Sequence, residues 1–242
     1  LLGDGPMSSV GVWDPARDTL SPITPMKVLL TLHDGSLVGA FYELKHSTDR
    51  DAPRFVPFLD DPLSRGRFHF LYEDPDQLLW VQRNDMLYTV RDGVLDTLDA
   101  LRPYAGAHVT GMAALSDGTL VMGTIGHGIL FLRKGSVILQ LREADGLPND
   151  RCLRLRASGD TLVVATNEGT RLVIVELPPK ELPRTRVHDP GTDRVPTSDA
   201  VLLNGEVYAA TARGICITRA SLQGALPRAP RTYIARITSN EL

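Results

Sequence analysis

Cysteine is scarce in this chain, with only 2 among 242 residues. Two cysteines are too few for a disulfide framework. Cys152 and Cys216 each lie within an apolar stretch. We therefore expect both to be small buried hydrophobic side chains. The low cysteine content fits the cytosol and the periplasm equally.

Long hydrophobic runs and an excess of charge of one sign are also absent. No apolar stretch approaches the roughly 18 residues of a membrane-spanning helix. The chain has 26 basic and 29 acidic residues and a formal net charge of −3. Because neither sign forms a long run, we expect no nucleic-acid partner and no direct membrane contact. The chain starts without an initiator Met or a signal peptide, and we interpret it as a fragment or a processed chain.

A repeat is the dominant feature that the sequence does have. Its core is a turn, an apolar burst and often a threonine, and successive copies end 41 to 45 residues apart. A repeat of this period indicates the fold more strongly than any single local feature does. Five copies are visible: DGSLVGAF (34–41), DQLLWVQR (76–83), DGTLVMGT (117–124), GDTLVVAT (159–166) and NGEVYAAT (204–211).

Each copy predicts four antiparallel strands. A partly alternating segment comes first, and a tight Asp-Gly or Gly-Asp turn leads to a burst that should be buried on both faces. Turns such as TNEG and TARG follow, where Gly169 and Gly214 should have positive φ. Helix signals are nearly absent: LREADGLPND could hold one helical turn. Four strands at this period predict an all-β fold, a β-propeller of four-stranded blades. A β-sandwich is the alternative, but nothing in that fold explains the period.

The repeat also divides the chain. Residues 27–222 should form five blades, which we expect to be part of a ring of six to eight. Residues 1–26 resemble the outer strands of a preceding blade. Either these strands close the ring or further blades precede them. Residues 223–242 should hold a linker and the start of a following domain.

The segments GLPND and LVVATNEG make the repeat similar to the two-component regulator propeller repeat, in which a Gly-Leu-Pro/Ser-Asn turn precedes a Leu-Trp-Val-Gly/Ala-Thr strand. The Trp occurs here only as Trp80. The tail PRAPRTYIARITSNEL resembles the junction with a Tyr-rich immunoglobulin-like domain. The resemblance implies a periplasmic or extracellular sensor region of a bacterial histidine kinase, with a membrane-anchored parent.

The sequence contains no nucleophile elbow, phosphate loop, zinc-protease motif or calcium loop. GTIGHG lies between two strands and is expected to be a blade turn. The six histidines lack metal-ligand spacing, although His108 and His127 lie where a propeller rim or channel would be. We therefore predict no catalytic residue, no metal and no cofactor.

Two segments are the candidate ligand-binding loops, because long loops on rigid scaffolds often carry recognition. The connection 47–67 is unusually long and rich in arginine, although an outer strand with flanking loops is the alternative. The GLPND turn leads into a first strand. The predicted binding residues are Arg50, Arg54, Arg65, Arg67, Asn149, Asp150 and Arg151.

The sequence thus predicts a non-catalytic, ligand-sensing propeller of a two-component receptor. Its signal would be a small molecule, a glycan or a protein, and a homodimer is a further expectation. The alternatives are a propeller enzyme of the lyase or lactonase type, with its site at the channel mouth, and a protein-interaction scaffold.

Overall fold

The computed structural model describes residues 9–14, 19–59, 65–91, 93–192, 195–220 and 231–233. The chain divides into two compact units, the first Leu1–Gly106 and the second Ala107–Leu242. All sheets are antiparallel, and consecutive strands along the chain are neighbours in each sheet. Among the described residues, no helix has the length and apolar character needed to cross a bilayer.

The first unit holds one two-stranded sheet and two four-stranded sheets, which we call blades one and two. The hairpin is β1 (Ser9–Asp14) and β2 (Thr19–Pro25). Blade one is β3 (Val28–Thr31), β4 (Leu37–Ala40), β5 (Leu44–Ser47) and β6 (Val56–Pro57). Blade two is β7 (Phe68–Glu73), β8 (Leu79–Arg83), β9 (Met86–Arg91) and β10 (Val94–Thr97).

The second unit holds blades three to five. Blade three is β11 (His108–Ala114), β12 (Leu120–Ile125), β13 (Ile129–Arg133) and β14 (Ser136–Leu141). Blade four is β15 (Cys152–Ser158), β16 (Thr161–Thr166), β17 (Gly169–Glu176) and β18 (Arg184–His188). Blade five is β19 (Thr197–Leu203), β20 (Glu206–Thr211), β21 (Gly214–Arg219) and β22 (Arg231–Tyr233).

The five apolar bursts form the second strands of the five blades, so the predicted all-β repeat is confirmed. Blade four shows why these strands are apolar throughout. Leu162 and Val164 of β16 belong to the core shared with blade three. Val163 and Ala165 point the other way, into the core shared with blade five. A strand buried on both faces cannot carry the alternation of a half-exposed strand.

In the first unit, Val38, Ala40 and Leu44 of blade one pack in one core with residues of blade two, among them Phe68 and Val81. Trp80 is 2% exposed, as expected for a residue of one of the apolar bursts. Its indole Nε1 donates to Asp74 Oδ2 at 2.9 Å, which satisfies the one polar group of the buried ring.

In blades four and five, the turn after the second strand is closed by threonine. Thr166 Oγ1 donates to the carbonyl oxygen of Gly169 at 2.9 Å and accepts from the Glu168 N–H at 3.1 Å. Thr211 makes the same pair of bonds in blade five. The positive φ predicted for the two turn glycines is confirmed, with 132° at Gly169 and 115° at Gly214.

The predicted burial of both cysteines is also confirmed, with Cys152 1% and Cys216 6% exposed. Burial raises the pKa of the Cys152 thiol to about 12. This side chain therefore behaves as a small hydrophobic group.

One helical segment differs from the sequence prediction. The pattern of VLDTLDAL predicts a fourth strand throughout, but β10 ends at Thr97 and a 3-10 helix spans Asp99–Tyr104. Leu98 and Leu101 are three residues apart, a spacing that fits the three residues per turn of a 3-10 helix, and Leu101 is buried in this helix. The Asp99 and Arg102 side chains, 2.9 Å apart, support the helical turn. The shorter helical turn at Glu143–Asp145 was expected.

The ends of the chain are described only in part. Segment 1–26 contributes the hairpin of β1 and β2, and residues 1–8 and 15–18 lie outside the described residues. Arg231–Tyr233 pairs with β21, so the last blade extends into the segment assigned to the linker and following domain. The remainder of 223–242 lies outside the described residues, and an immunoglobulin-like domain stays a prediction.

The first prediction concerns Gly169. Alanine at φ of 132° should strain the backbone, so Gly169→Ala is expected to lower the free energy of unfolding by about 1 kcal/mol or more. Chemical denaturation would measure the change. Ser158→Ala, an alanine substitution at an exposed site of the same blade, is the control. Equal stability of Gly169→Ala and the parent chain would show that the turn tolerates a side chain.

Candidate functional site

The two ends of each blade are distinct. We call the upper end the one that carries the turn between the second and third strands and the connection to the next blade. The lower end carries the other two connections. In blade one, Leu37 pairs with Ser47 at the lower end, and Ala40 pairs with Leu44 at the upper end. This geometry places each predicted binding residue at one end or the other.

Arg50 and Arg54 lie at the lower end of blade one, in the connection between β5 and β6. Ser47 organises this connection: its hydroxyl donates to the Asp49 carbonyl oxygen and accepts from the Arg54 N–H, both at 3.0 Å. The Asp49 carboxylate accepts from the N–H of Asp51 and Ala52. Residues 48–59 therefore form a loop and the outer strand β6, the alternative raised from the sequence, and residues 60–64 lie outside the described residues.

Arg65 and Arg67 lie at the upper end, in the connection between β6 and β7. Arg65 forms an isolated bridge with Glu43, and its Nε is 3.8 Å from a Glu43 carboxylate oxygen. The Arg67 backbone is joined to Asn84 by two hydrogen bonds, of 3.2 and 2.7 Å. The structure therefore does not bring the four arginines together. It separates them into a lower pair and an upper pair.

In the second unit, Asn149, Asp150 and Arg151 form the connection from blade three to blade four. Asp150 is the centre of this connection. Its carboxylate accepts from Arg142 Nε and Nη2 at 2.9 and 2.6 Å and from the Glu143 N–H at 2.8 Å. Its carbonyl oxygen accepts from the N–H groups of Gly126 and Gly128. Asp150 thus joins the end of β14 to the β12–β13 turn.

The same bonds set the charge state of Asp150. Partial burial acts to raise the pKa of this carboxyl, but the hydrogen bonds from Arg142 and Glu143 and the nearby positive charge outweigh it. The pKa of Asp150 consequently lies below its ordinary value. The carboxylate therefore stays charged well below neutral pH. Arg142, Glu143, Ala144 and Asp150 also line an open cleft of about 470 Å³.

Asn149 continues the joint into blade four. Its Nδ2 donates to Asn167 Oδ1 at 2.6 Å and to Glu168 Oε1 at 2.9 Å, and its Oδ1 accepts from the Arg151 N–H. The connection is therefore tied to the upper turns of both blades. Arg151 pairs with Ile125 through a backbone bridge, and its side chain is exposed.

The predicted blade turn at GTIGHG is confirmed, because Thr124 Oγ1 and the Thr124 N–H both donate to the Gly128 carbonyl oxygen. His127 is half-buried in this turn, and His108 is exposed at the start of β11. Within the described ranges, no three His, Cys, Asp or Glu side chains lie close enough to share a metal ion.

A charged pair that the sequence did not predict lies on the first strands of blades four and five. Arg156 Nε and Nη2 donate to the two Asp199 carboxylate oxygens at 3.0 and 2.7 Å. The hydrogen bond from Arg156 lowers the pKa of Asp199. The alternation in RCLRLRA could have placed Arg154 and Arg156 on the exposed side of β15. Nothing local indicated Asp199, which is 43 residues away.

The second prediction concerns Asp150. Asp150→Asn should lower the free energy of unfolding at neutral pH by about 1 kcal/mol, because a partly exposed charged bond to Arg142 is lost. A lowered pKa means that the stabilisation exists above the unfolded pKa, near 4, and disappears as pH falls through the folded value. The difference between the two proteins should therefore shrink below about pH 4.

Denaturant unfolding at several pH values would measure this difference. Glu143→Gln is the matched control, because it removes an exposed carboxylate of the same cleft and keeps the backbone bond to Asp150. An Asp150→Asn effect that is absent, or equal at all pH values, would contradict the assigned role.

Comparison with known proteins supports the fold. No protein-family model matches the chain, and no curated protein matches it. Among solved structures, the extracellular domain of the hybrid two component system BT3049 from B. thetaiotaomicron has a TM-score of 0.60 and 14% identity. That match covers 81% of this chain, which spans 28% of the length of the BT3049 domain.

Two enzyme-like structures are also similar. Virginiamycin B lyase from Staphylococcus aureus has a TM-score of 0.62 and 12% identity, over 91% of this chain and 76% of that one. A protein described as a 6-phosphogluconolactonase from Bacteroides uniformis has a TM-score of 0.55 and 11% identity, over 87% and 73%. At sequence identities of 11% to 14%, the similarity to these three structures shows the fold alone. The chain is built of β-propeller blades.

Proposed function

We propose that this chain is the ligand-sensing propeller of an extracytoplasmic signalling receptor and is not itself catalytic. One observation carries the proposal. GLPND and the TNEG turn of LVVATNEG belong to the residues that resemble the two-component regulator repeat. They meet at the joint between blades three and four, where Asp150 and Asn149 hold three upper-end segments together. The fold likeness to the BT3049 extracellular domain supports the same function.

In each unit separately, the upper ends of the blades are the proposed binding surface. Arg65 and Arg67 extend into solvent there in the first unit, and Arg151 does so in the second. Guanidinium groups held on fixed backbone suit recognition of carboxylate, phosphate or hydroxyl groups. The joint between blades three and four could have two arrangements. A ligand that binds one of them more tightly would increase the population of that arrangement.

The parent would place this propeller outside the bacterial inner membrane, with a membrane anchor and an output domain in other segments. The signal itself would be a small molecule, a glycan or a protein. We assign neither a cofactor nor a nucleic-acid partner to the chain.

An enzyme of the lyase or lactonase type is the second candidate. The fold likeness to virginiamycin B lyase and to the protein described as a lactonase favours it. Such an enzyme needs a general base or a metal within reach of the substrate. The two candidates differ in whether a bound compound is converted.

The third prediction separates the two candidates. Gluconolactone, 6-phosphogluconolactone and an unsaturated uronide should remain unchanged when incubated with the chain, as followed by NMR. EDTA should leave the melting temperature unchanged. Conversion of any of these compounds would overturn the sensor assignment if the conversion is lost when EDTA is added or when one residue is replaced.

The fourth prediction locates the binding surface. In a thermal-shift panel of neutral and acidic oligosaccharides and small organic acids, a cognate compound should raise the melting temperature. A ligand at a hundred times its Kd adds about 2.7 kcal/mol of stability. The double variant Arg65→Gln, Arg67→Gln should lose this shift. The variant Arg50→Gln, Arg54→Gln, altered at the lower end of the same blade, should retain it. The reverse pattern would contradict the upper-end site.

A further inference from the structure

The first strands of the blades can be compared within the chain, because each of them pairs with its apolar burst in the same register. In blade four, Arg154 and Arg156 of β15 lie opposite Ala165 and Val163 of the burst. Blade four is the only one of the five blades with two charged residues at these positions. The corresponding pairs in blades one, two, three and five are Val28 and Leu30, Phe70 and Tyr72, Gly111 and Ala113, and Asp199 and Val201.

Packing between blades does not explain Arg154. Val28 and Leu30 pack on the core of blades one and two, so the fold uses apolar residues at these positions elsewhere. Arg154 is exposed instead, and among the described residues its side chain makes one hydrogen bond, from Nη1 to the Thr110 carbonyl oxygen at 3.3 Å. A guanidinium has five N–H donors, so most of those of Arg154 remain available to a ligand.

The exposure of Arg154 does not come from a missing neighbour. On one side, Thr110 Oγ1 of blade three donates to the Cys152 carbonyl oxygen at 2.8 Å, so the first strands of blades three and four are in contact. On the other side, Arg156 of blade four bonds to Asp199 of blade five. Arg154 lies between these two contacts and is still exposed. The first strands are therefore open to solvent here with both adjacent blades in place.

Asp199 supplies a hydrogen-bond acceptor beside the guanidinium groups. Its Oδ1 accepts from Arg156 Nε at 3.0 Å and from the Ala200 N–H at 2.8 Å, and its Oδ2 accepts from Arg156 Nη2 at 2.7 Å. A carboxylate offers about four acceptor positions, so Oδ2 can accept from one further donor. The Asp199 side chain is 38% exposed, which leaves this position open to a ligand.

Arg154, Arg156 and Asp199 together carry one net positive charge. The hydrogen bond from Arg156 is the main cause of the lowered pKa of Asp199, and the charge of Arg154 adds to the effect. Arg154 is therefore close enough to act on Asp199, and the carboxylate stays ionised at neutral pH. Residues two apart in a strand lie on the same face about 7 Å apart, so one small molecule can reach both Arg154 and the Arg156–Asp199 pair.

We propose that Arg154 and Asp199 form a binding site for a hydroxy acid, a small molecule with a carboxylate and a hydroxyl group, of which sugar acids are examples. The Arg154 guanidinium binds the carboxylate through two N–H groups. Asp199 Oδ2 accepts from a hydroxyl of the same ligand, and Arg156 is a positioning residue that holds the Asp199 carboxylate.

The net charge favours a hydroxy acid over other small molecules with a carboxylate and a donor. A hydroxy acid is a monoanion and neutralises the positive charge of the three side chains, whereas a zwitterionic amino acid leaves that charge in place. The site lies on the first strands, apart from the upper-end connections, and its ligand need not be the sensed signal. It can therefore be tested separately from the sensor function.

Titration of the full chain with gluconate, followed by two-dimensional NMR, tests the ligand class. Gluconate carries both a carboxylate and hydroxyl groups and should bind saturably. Hexanoate has the same number of carbons and the carboxylate but no hydroxyl group, and sorbitol has the hydroxyl groups but no carboxylate. Each of these two compounds should bind about tenfold more weakly or less, because one half of the site is left without its partner.

Variants of the chain locate the site. Arg154→Gln should raise the Kd for gluconate about tenfold or more, and Arg154→Lys should raise it less, because the charge stays and the two-donor fork is lost. Asp199→Asn should reduce the preference for gluconate over hexanoate. Arg184→Gln is the matched control, because it makes the same change at a 69% exposed arginine on the outermost strand of blade four, and it should bind as the parent does.

Circular dichroism and thermal unfolding establish that each variant is folded. The absence of saturable gluconate binding, or equal binding of gluconate and hexanoate, would overturn the hydroxy-acid site. Gluconate binding that Arg154→Gln leaves unchanged and that Arg65→Gln, Arg67→Gln removes would also overturn it, and would support the upper-end surface. Conversion of a lactone or uronide, in contrast, would overturn the sensor function and leave this site in place.

Discussion

Burial of the second strand on both faces, which blades one to four achieve, is the constraint on which the rest of this structure depends. A single four-stranded sheet cannot achieve it, because one face of any isolated sheet remains open to water. In β16, Val164 needs blade three and Val163 needs blade five. The stability of each blade in the second unit is therefore bound to its neighbours, and any joint that fixes the spacing of two blades also fixes the packing between them.

Asp150 is such a joint, and its chemistry explains the residue types around it. The Asp150 carboxylate needs hydrogen-bond donors that keep their charge or their position. The Arg142 guanidinium keeps its charge, and the Glu143 backbone N–H keeps its position. Its carbonyl oxygen needs two N–H groups from one turn, and Gly126 and Gly128 supply them from a turn with positive φ at both glycines. Alanine at position 128 would place a Cβ in steric overlap with the Leu141 carbonyl oxygen, so the turn can approach β14 only with glycine there.

Much of the fold could be predicted because its determinants are local and recur. The 41- to 45-residue spacing identified the blades, and the Thr-x-x-Gly turns identified the glycines with positive φ. The candidate site could be predicted less well. Arg50 and Arg67 are close in the sequence but lie at opposite ends of blade one, because a strand runs between them. Arg156 and Asp199 are distant in the sequence and meet only when two blades pack.

The same constraint applies to the sheet face of blade five that faces away from blade four and holds Tyr208, Ala210, Ile215 and Ile217. A repeat carries apolar residues at the interface positions of every copy, so the last described copy presents them whether or not a neighbour follows in the chain. Thr170 and Ile215 illustrate the point: the blade-four residue is fully buried, and its equivalent in blade five is 43% exposed and more apolar. If the open position were a solvated surface, polar residues would be expected there, as at Arg154 and Arg156 on the exposed side of β15. The apolar character of Ile215 is therefore best explained by a protein surface that packs on it.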